Sequence, residues 1–214
     1  MVRKFVCLRS SLWLYVSLVA LMVFVVSSLV FAAHPLITDD AGTQGRGKFQ
    51  LELNGEYGYD RQDGVTTRET GIAATLTYGI IDPVDIVIGI PYQHIRTSDS
   101  LGVSRVNGIA DIPLEVKWRF YDEEGLSFAL KPGVTFSSGD REKGLGTGKL
   151  TYHLFLIGSK EVKPWAFHVN LGYNRNENKN EERRDIWHTS FAVTYDVAEK
   201  WTLVGNIGIE RNPD

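Results

Sequence analysis

Residues 49–59 read FQLELNGEYGY, with Phe49, Leu51, Leu53, Tyr57 and Tyr59 in one parity and Gln50, Glu52, Asn54 and Glu56 in the other. Such alternation marks a β-strand with two unlike faces, because successive side chains leave a strand on opposite sides. Two objects want it: a soluble sheet with its apolar face on a core, and a membrane barrel with its apolar face in lipid.

The same period recurs along the chain. From Asp111 to Tyr121, Ile112, Leu114, Val116, Trp118 and Phe120 alternate with Asp111, Pro113, Glu115, Lys117 and Arg119. Further segments cover 65–78, 84–93, 126–137, 149–159, 165–174, 186–196 and 201–210. The reading is all-β: about nine antiparallel strands of about ten residues, the length that crosses a bilayer at a tilt of about 45°. Tight turns at 79–83, 122–125, 160–164 and 197–200 alternate with long polar loops at 94–108, 137–149 and 174–185. Short and long connections alternate in this way in outer-membrane barrels.

Aromatic placement decides which face is wet. Tyr57, Tyr59, Tyr78, Tyr92, Trp118, Trp165, Tyr173, Trp187, Tyr195 and Trp201 lie on the apolar parity, most of them near strand ends. Tyr and Trp favour the membrane–water interface, and a barrel carries them as two girdles. The polar parity holds Glu52, Glu56, Asp85, Asp111, Glu115, Lys117, Arg119 and Lys131, too many charges for a dry core. A transmembrane β-barrel therefore outranks a soluble sandwich or barrel. The odd strand count and the ending GNIGIERNPD, without a terminal aromatic strand, lead us to expect a longer barrel of about 10 to 14 strands.

The chain has 214 residues, a net charge of -3 and 23% charged residues, which excludes a basic nucleic-acid binder and a charged disordered chain. Arg3, Lys4 and Arg9 precede the apolar run 12–31, which ends in small residues, so residues 1–32 read as a signal peptide cut after Ala32. A retained helical anchor is the rival. Cys7 is the only cysteine, and its removal leaves a mature chain without disulfides or cysteine-held metals.

The stretches HPLITDDAGTQGRGKFQLELNGEY, DPVDIVIGIPYQ, SSGDREKGLGTGK and WAFHVNLGYN resemble the outer-membrane transporter family that carries the phenol-degradation MetA-pathway name. The resemblance spans nearly all of the mature chain. It implies a barrel in the outer membrane of a Gram-negative bacterium and uptake of small, often aromatic, compounds. It implies no catalytic residue.

Candidate chemistry follows from the polar parity. Gln50, Glu52, Asn54, Glu56, Asp85, Glu115, Lys117, Arg119, Lys131, His153, His168, Asn170 and His188 would line a lumen. With a turn centred near Glu161, His153, Asn170 and His188 form one row, the histidines about 10 Å apart, too far to share a metal ion. The row is a pH-sensitive patch or simply hydrated wall. Ser190 follows His188 on the same face about 6.5 to 7 Å along the strand, beyond the about 3 Å that a nucleophile and its base require. GLGTGK, 144–149, lacks the spacing of a phosphate loop.

The polar leader 33–47 either plugs the lumen, with His34, Asp39 and Asp40 facing solute, or hangs free in the periplasm. Loop 175–185 carries Arg175, Arg183 and Arg184, which could meet lipopolysaccharide. The expected function is passive uptake of small aromatic or hydrophobic molecules, without enzymatic activity, metal or cofactor. A closed structural or adhesive barrel is the alternative, and an outer-membrane hydrolase the third reading. Lipid, lipopolysaccharide and a small solute are the expected partners, not nucleic acid.

Overall fold

The computed structural model describes residues 37–212; the signal-peptide reading of 1–32 and His34 lie outside them. Ten strands follow in order: β1 (Phe49–Gln62), β2 (Val65–Ile81), β3 (Val84–Asp99), β4 (Gly102–Ile109), β5 (Ile112–Glu123), β6 (Leu126–Phe136), β7 (Thr151–Val162), β8 (Trp165–Arg175), β9 (Asp185–Ala198) and β10 (Trp201–Glu210). They make one antiparallel sheet with the order β1-β2-β3-β5-β6-β7-β8-β9-β10, and β4 pairs with β3. The outer edges of β1 and β10 carry no strand partner among the described residues.

The tenth strand comes from a segment expected to be a loop. Residues 94–108, read as a polar loop, extend β3 and form β4, with Asp99 opposite Gly102 at the hairpin tip. Tyr92 pairs with Ile109 and Ile88 with Leu114, a register that shifts by one residue between β4 and β5. The two are halves of one long strand interrupted at Ala110 and Asp111. A bulge of this kind re-aims a side chain. Here it sends the Asp111 carboxylate into the loop after β6, where it accepts from Gly139 N and from the Thr147 amide and hydroxyl.

Contacts at the two ends of the leader fit a sheet that curls. Thr38 Oγ1 accepts from Asn206 Nδ2 of β10 at 2.7 Å, and Gln44 Nε2 donates to Gln50 Oε1 of β1 at 2.6 Å. Laid flat, the eight steps from β1 to β10 would span about 38 Å at about 4.8 Å each. Six residues reach about 20 Å at most. Both contacts exist because the sheet bends into a half-barrel with residues 38–44 across its concave side.

The two parities separate as the curl requires. Leu53 is 72% exposed and Trp201 74%, and Leu51, Leu171 and Ile207 share the same outward side. Asp85, at 1%, is buried on the concave side. The outward rings fall into two tiers. Trp165 packs against Tyr195 with centroids 4.5 Å apart at the short-turn end, and Tyr173 against Trp187 at 4.7 Å toward the long loops. Eight residues separate the tiers on β8, about 26 Å along the strand and about 20 Å once tilted, close to the apolar band of a membrane barrel.

Candidate functional site on the concave face

The leader lies against the concave face because its backbone finds partners there. Asn170 of β8 donates to Asp39 O at 2.8 Å and accepts from Asp39 N at 2.6 Å, so one amide side chain satisfies both polar groups of that residue's backbone. Ala41 N donates to Ser159 Oγ at 2.9 Å. Gln44 N donates to both carboxylate oxygens of Asp85, at 3.0 and 3.2 Å. Gly47 N reaches Gly79 O, and Gly79 N reaches Lys48 O. A Cβ on Gly79 would run into the Gly45 carbonyl, so glycine is what lets the leader approach this closely. Ala41 packs with Ala129 and Ile157, a small apolar seal on an otherwise polar face.

Asp39 is the centre of the charge arrangement. Its two oxygens meet Lys117 Nζ at 3.0 Å and Lys131 Nζ at 3.1 Å. Burial by itself pushes this carboxyl up; the two ammonium groups outweigh burial and hold it at about 2. Lys131 also meets Glu115 at 3.3 Å, and Glu115 meets His153 Nε2 at 2.8 Å. Lys117, Asp39, Lys131, Glu115 and His153 are therefore one continuous chain of alternating partners. Asp40 stands 4.0 Å from Lys117.

Past His153 the chemistry changes. The Phe155 ring lies between two imidazoles, with centroids 5.9 Å from His153 and 5.6 Å from His188, both edge-on. Lys131 Nζ stands 5.9 Å from the centroid of the same ring. Opposite Phe155 in the register is Gly172, where a Cβ would strike the ring. A cavity of about 140 Å³ opens here, lined by Glu115, His153, Phe155, Asn174, His188 and Glu210 among others. Among the described residues, Asn174 Oδ1 is buried without a hydrogen-bond partner.

Two expectations for this face are corrected. The hairpin between β7 and β8 turns at Lys163 and Pro164, with Val162 opposite Trp165, so His153 pairs with Asn174 and Asn170 with Ile157 and Ser190. No row of His153, Asn170 and His188 exists; the turn lies two residues farther along than a centre at Glu161 would put it. The second concerns His188, whose Nε2 lies 3.0 Å from Ser190 Oγ while Nδ1 lies 3.2 Å from Glu210. The Cα spacing of about 6.5 to 7 Å is that of a regular strand, but two side chains on one face can lean together. For a neutral ring the network places the proton on Nδ1, donating to Glu210, with Ser190 donating to Nε2.

The remaining candidates are scattered. His168 Nδ1 meets Ser159 Oγ at 2.8 Å, and the same oxygen accepts Ala41 N–H. Arg119 pairs with Asp122 at 3.1 Å near the short turns. Glu52 is half-buried, and Asn54 and Glu56 are exposed toward the long-loop end of β1, outside the charge chain. Phe155 and Glu210 lie outside the expected set. Phe155 carries a signal in the sequence, since within the alternation of 151–159 it is an aromatic residue in the parity of Thr151, His153 and Ser159.

Residues 34–211 match the family described as "Putative MetA-pathway of phenol degradation", and the chain belongs to that family. No curated protein matches it.

Proposed function

We propose that the protein is a passive channel of the Gram-negative outer membrane that admits small aromatic or hydrophobic molecules. The observation that carries this reading is the inversion of the sheet, with Leu51, Leu53, Leu171, Trp187 and Ile207 exposed outward while Asp85 and Lys117 are buried inward. An exposed apolar face of this extent is expected of a surface covered by lipid. The basic, apolar and small-residue order of 1–32 supports export, and the family description supports an aromatic solute.

In this reading Gln50, Glu52, Asn54, Glu56, Asp85, Glu115, Lys117, Arg119, Lys131, His153, His168, Asn170 and His188 line the lumen, and residues 37–48 are its plug. Lumen charges of both signs neutralise one another locally, which leaves no uniform field to select ions and suits uncharged solutes. Loop 175–185, tied to loop 137–150 by Arg141 to Asn180 Oδ1 and Lys179 O, faces lipopolysaccharide.

The test is flux of phenol and of a sugar of similar size into liposomes holding the full-length protein. Phenol entry above the empty-liposome rate supports the channel. Neither flux nor conductance would favour the closed structural barrel instead.

A second reading has one observation behind it, the Ser190, His188 and Glu210 series, which has the order of nucleophile, base and orienting acid. Against it, Ser190 is 2% exposed. Ile37 and the Ser190 Cβ crowd the same point beside Gly208, and the Asn170 amide that could stabilise an oxyanion is spent on Asp39. A serine-directed fluorophosphonate should leave the protein unlabelled; labelling abolished by Ser190→Ala would establish the hydrolase.

A further inference from the structure

We infer that the cavity beside Phe155 is a binding site for a single aromatic ring bearing a hydrogen-bond donor, a hydroxyl rather than a carboxylate. The inference rests on the channel reading and gives it a specific stopping point. Three observations carry it.

Size comes first. The cavity measures about 140 Å³, and an engineered protein cavity of roughly 150 Å³ takes up one benzene.

The wall is second. Phe155 supplies the inward phenyl ring of the lining, whereas Tyr173 belongs to the outward parity and packs on Trp187. Phe155 is fixed from four directions, by His153, His188, Lys131 and the bare backbone at Gly172. A ring held so firmly presents a face or edge to a second ring with little ordering cost.

Unspent polar capacity is third. Lys131 is already held by Asp39 and Glu115, and both ring nitrogens of His188 are engaged. What is left over is an amide that accepts and donates and a carboxylate that accepts. Among the described residues Asn174 Oδ1 is buried without a partner and its Nδ2 makes no hydrogen bond, while the Glu210 carboxylate, 58% exposed, has only one oxygen on His188. A buried acceptor without a donor is costly, and a ligand O–H removes that cost. A ligand carboxylate would instead meet Glu115 and Glu210.

The two halves of the concave face then act differently on one solute. The Asp39 clamp fills its own half with the protein's own chain, whereas the Phe155 half leaves room for a guest.

The experiment is a ¹⁹F NMR titration of full-length protein in lipid nanodiscs with 4-fluorophenol, against fluorobenzene and 4-fluorobenzoate, with empty nanodiscs as the partition control. Saturable binding of 4-fluorophenol is expected, weaker by at least about tenfold for the other two. Phe155→Leu and Asn174→Ala should each weaken it by roughly three- to tenfold. Signal no different from empty nanodiscs, equal binding of 4-fluorobenzoate, or indifference to both substitutions would overturn the site. Binding without phenol flux would remove the channel reading and keep the site. Flux without saturable binding would do the opposite.

Discussion

Strand β8 meets two environments along one backbone. Trp165, Phe167, Val169 and Leu171 point outward and are exposed, while Ala166, His168, Asn170 and Gly172 point inward among hydrogen-bonded partners. The outward residues need nothing but an apolar surrounding. Inward residues make individual contacts: Asn170 holds the Asp39 backbone, His168 meets Ser159, and Gly172 makes room for Phe155. The outward side is thus a matter of composition, and the inward side of particular partners.

The sharpest way to break this contrast is to put the same charge on each side. Val169→Arg, midway between the Trp165 and Tyr173 tiers, should destabilise the protein in liposomes by about 2–4 kcal/mol, the cost of a cation near the bilayer midplane. Thr75 lies inward opposite Glu52, and Thr75→Arg should change stability by under about 1 kcal/mol. Denaturant midpoints in liposomes read both; equal effects would mean that the two sides see the same solvent.

Within the inward side, Asp39→Asn leaves Lys117 and Lys131 without their shared counter-ion. Charge-assisted bonds of this type are worth roughly 1.5–3 kcal/mol, so the Ala41 and Gln44 amides should exchange hydrogen about ten- to hundredfold faster. Unchanged exchange would show that the leader is held by backbone contacts alone.

Acid should do the same more gently. Asp39 is lowered to about 2 when docked, against 3.8 when free. A depressed acid stabilises docking above the higher value and loses that contribution as the pH falls through the lower one. Docking should therefore be level from neutrality to about pH 4 and weaken between there and about pH 2, read by the same exchange. Weakening already near neutrality would assign the control to histidine instead.

How much of this the sequence discloses follows the same division. The outward parity is legible residue by residue, because alternation needs only identity, and the tyrosines and tryptophans at strand ends add the tiers. Strand β4 is hidden because 94–108 is polar on both sides, so no contrast marks it. Pairing across β7 and β8 depends on where one hairpin turns, and a displacement of that turn along the chain moves every partner of His153. The clamp of Asp39 on Lys117 and Lys131 joins positions 78 and 92 residues apart, which no local pattern encodes. Glu210 reaches His188 only through the pairing of β9 with β10.

Cysteine scanning of β1 tests the inversion of the sheet most directly, since Cys7 is the only native thiol. Spin labels would be placed singly at Leu51, Glu52, Leu53 and Asn54 in liposome-embedded protein and their collision rates compared for oxygen and for a water-soluble nickel chelate. An inverted sheet predicts oxygen dominance at Leu51 and Leu53 and nickel dominance at Glu52 and Asn54. The reverse pattern, or four equal ratios, would contradict it.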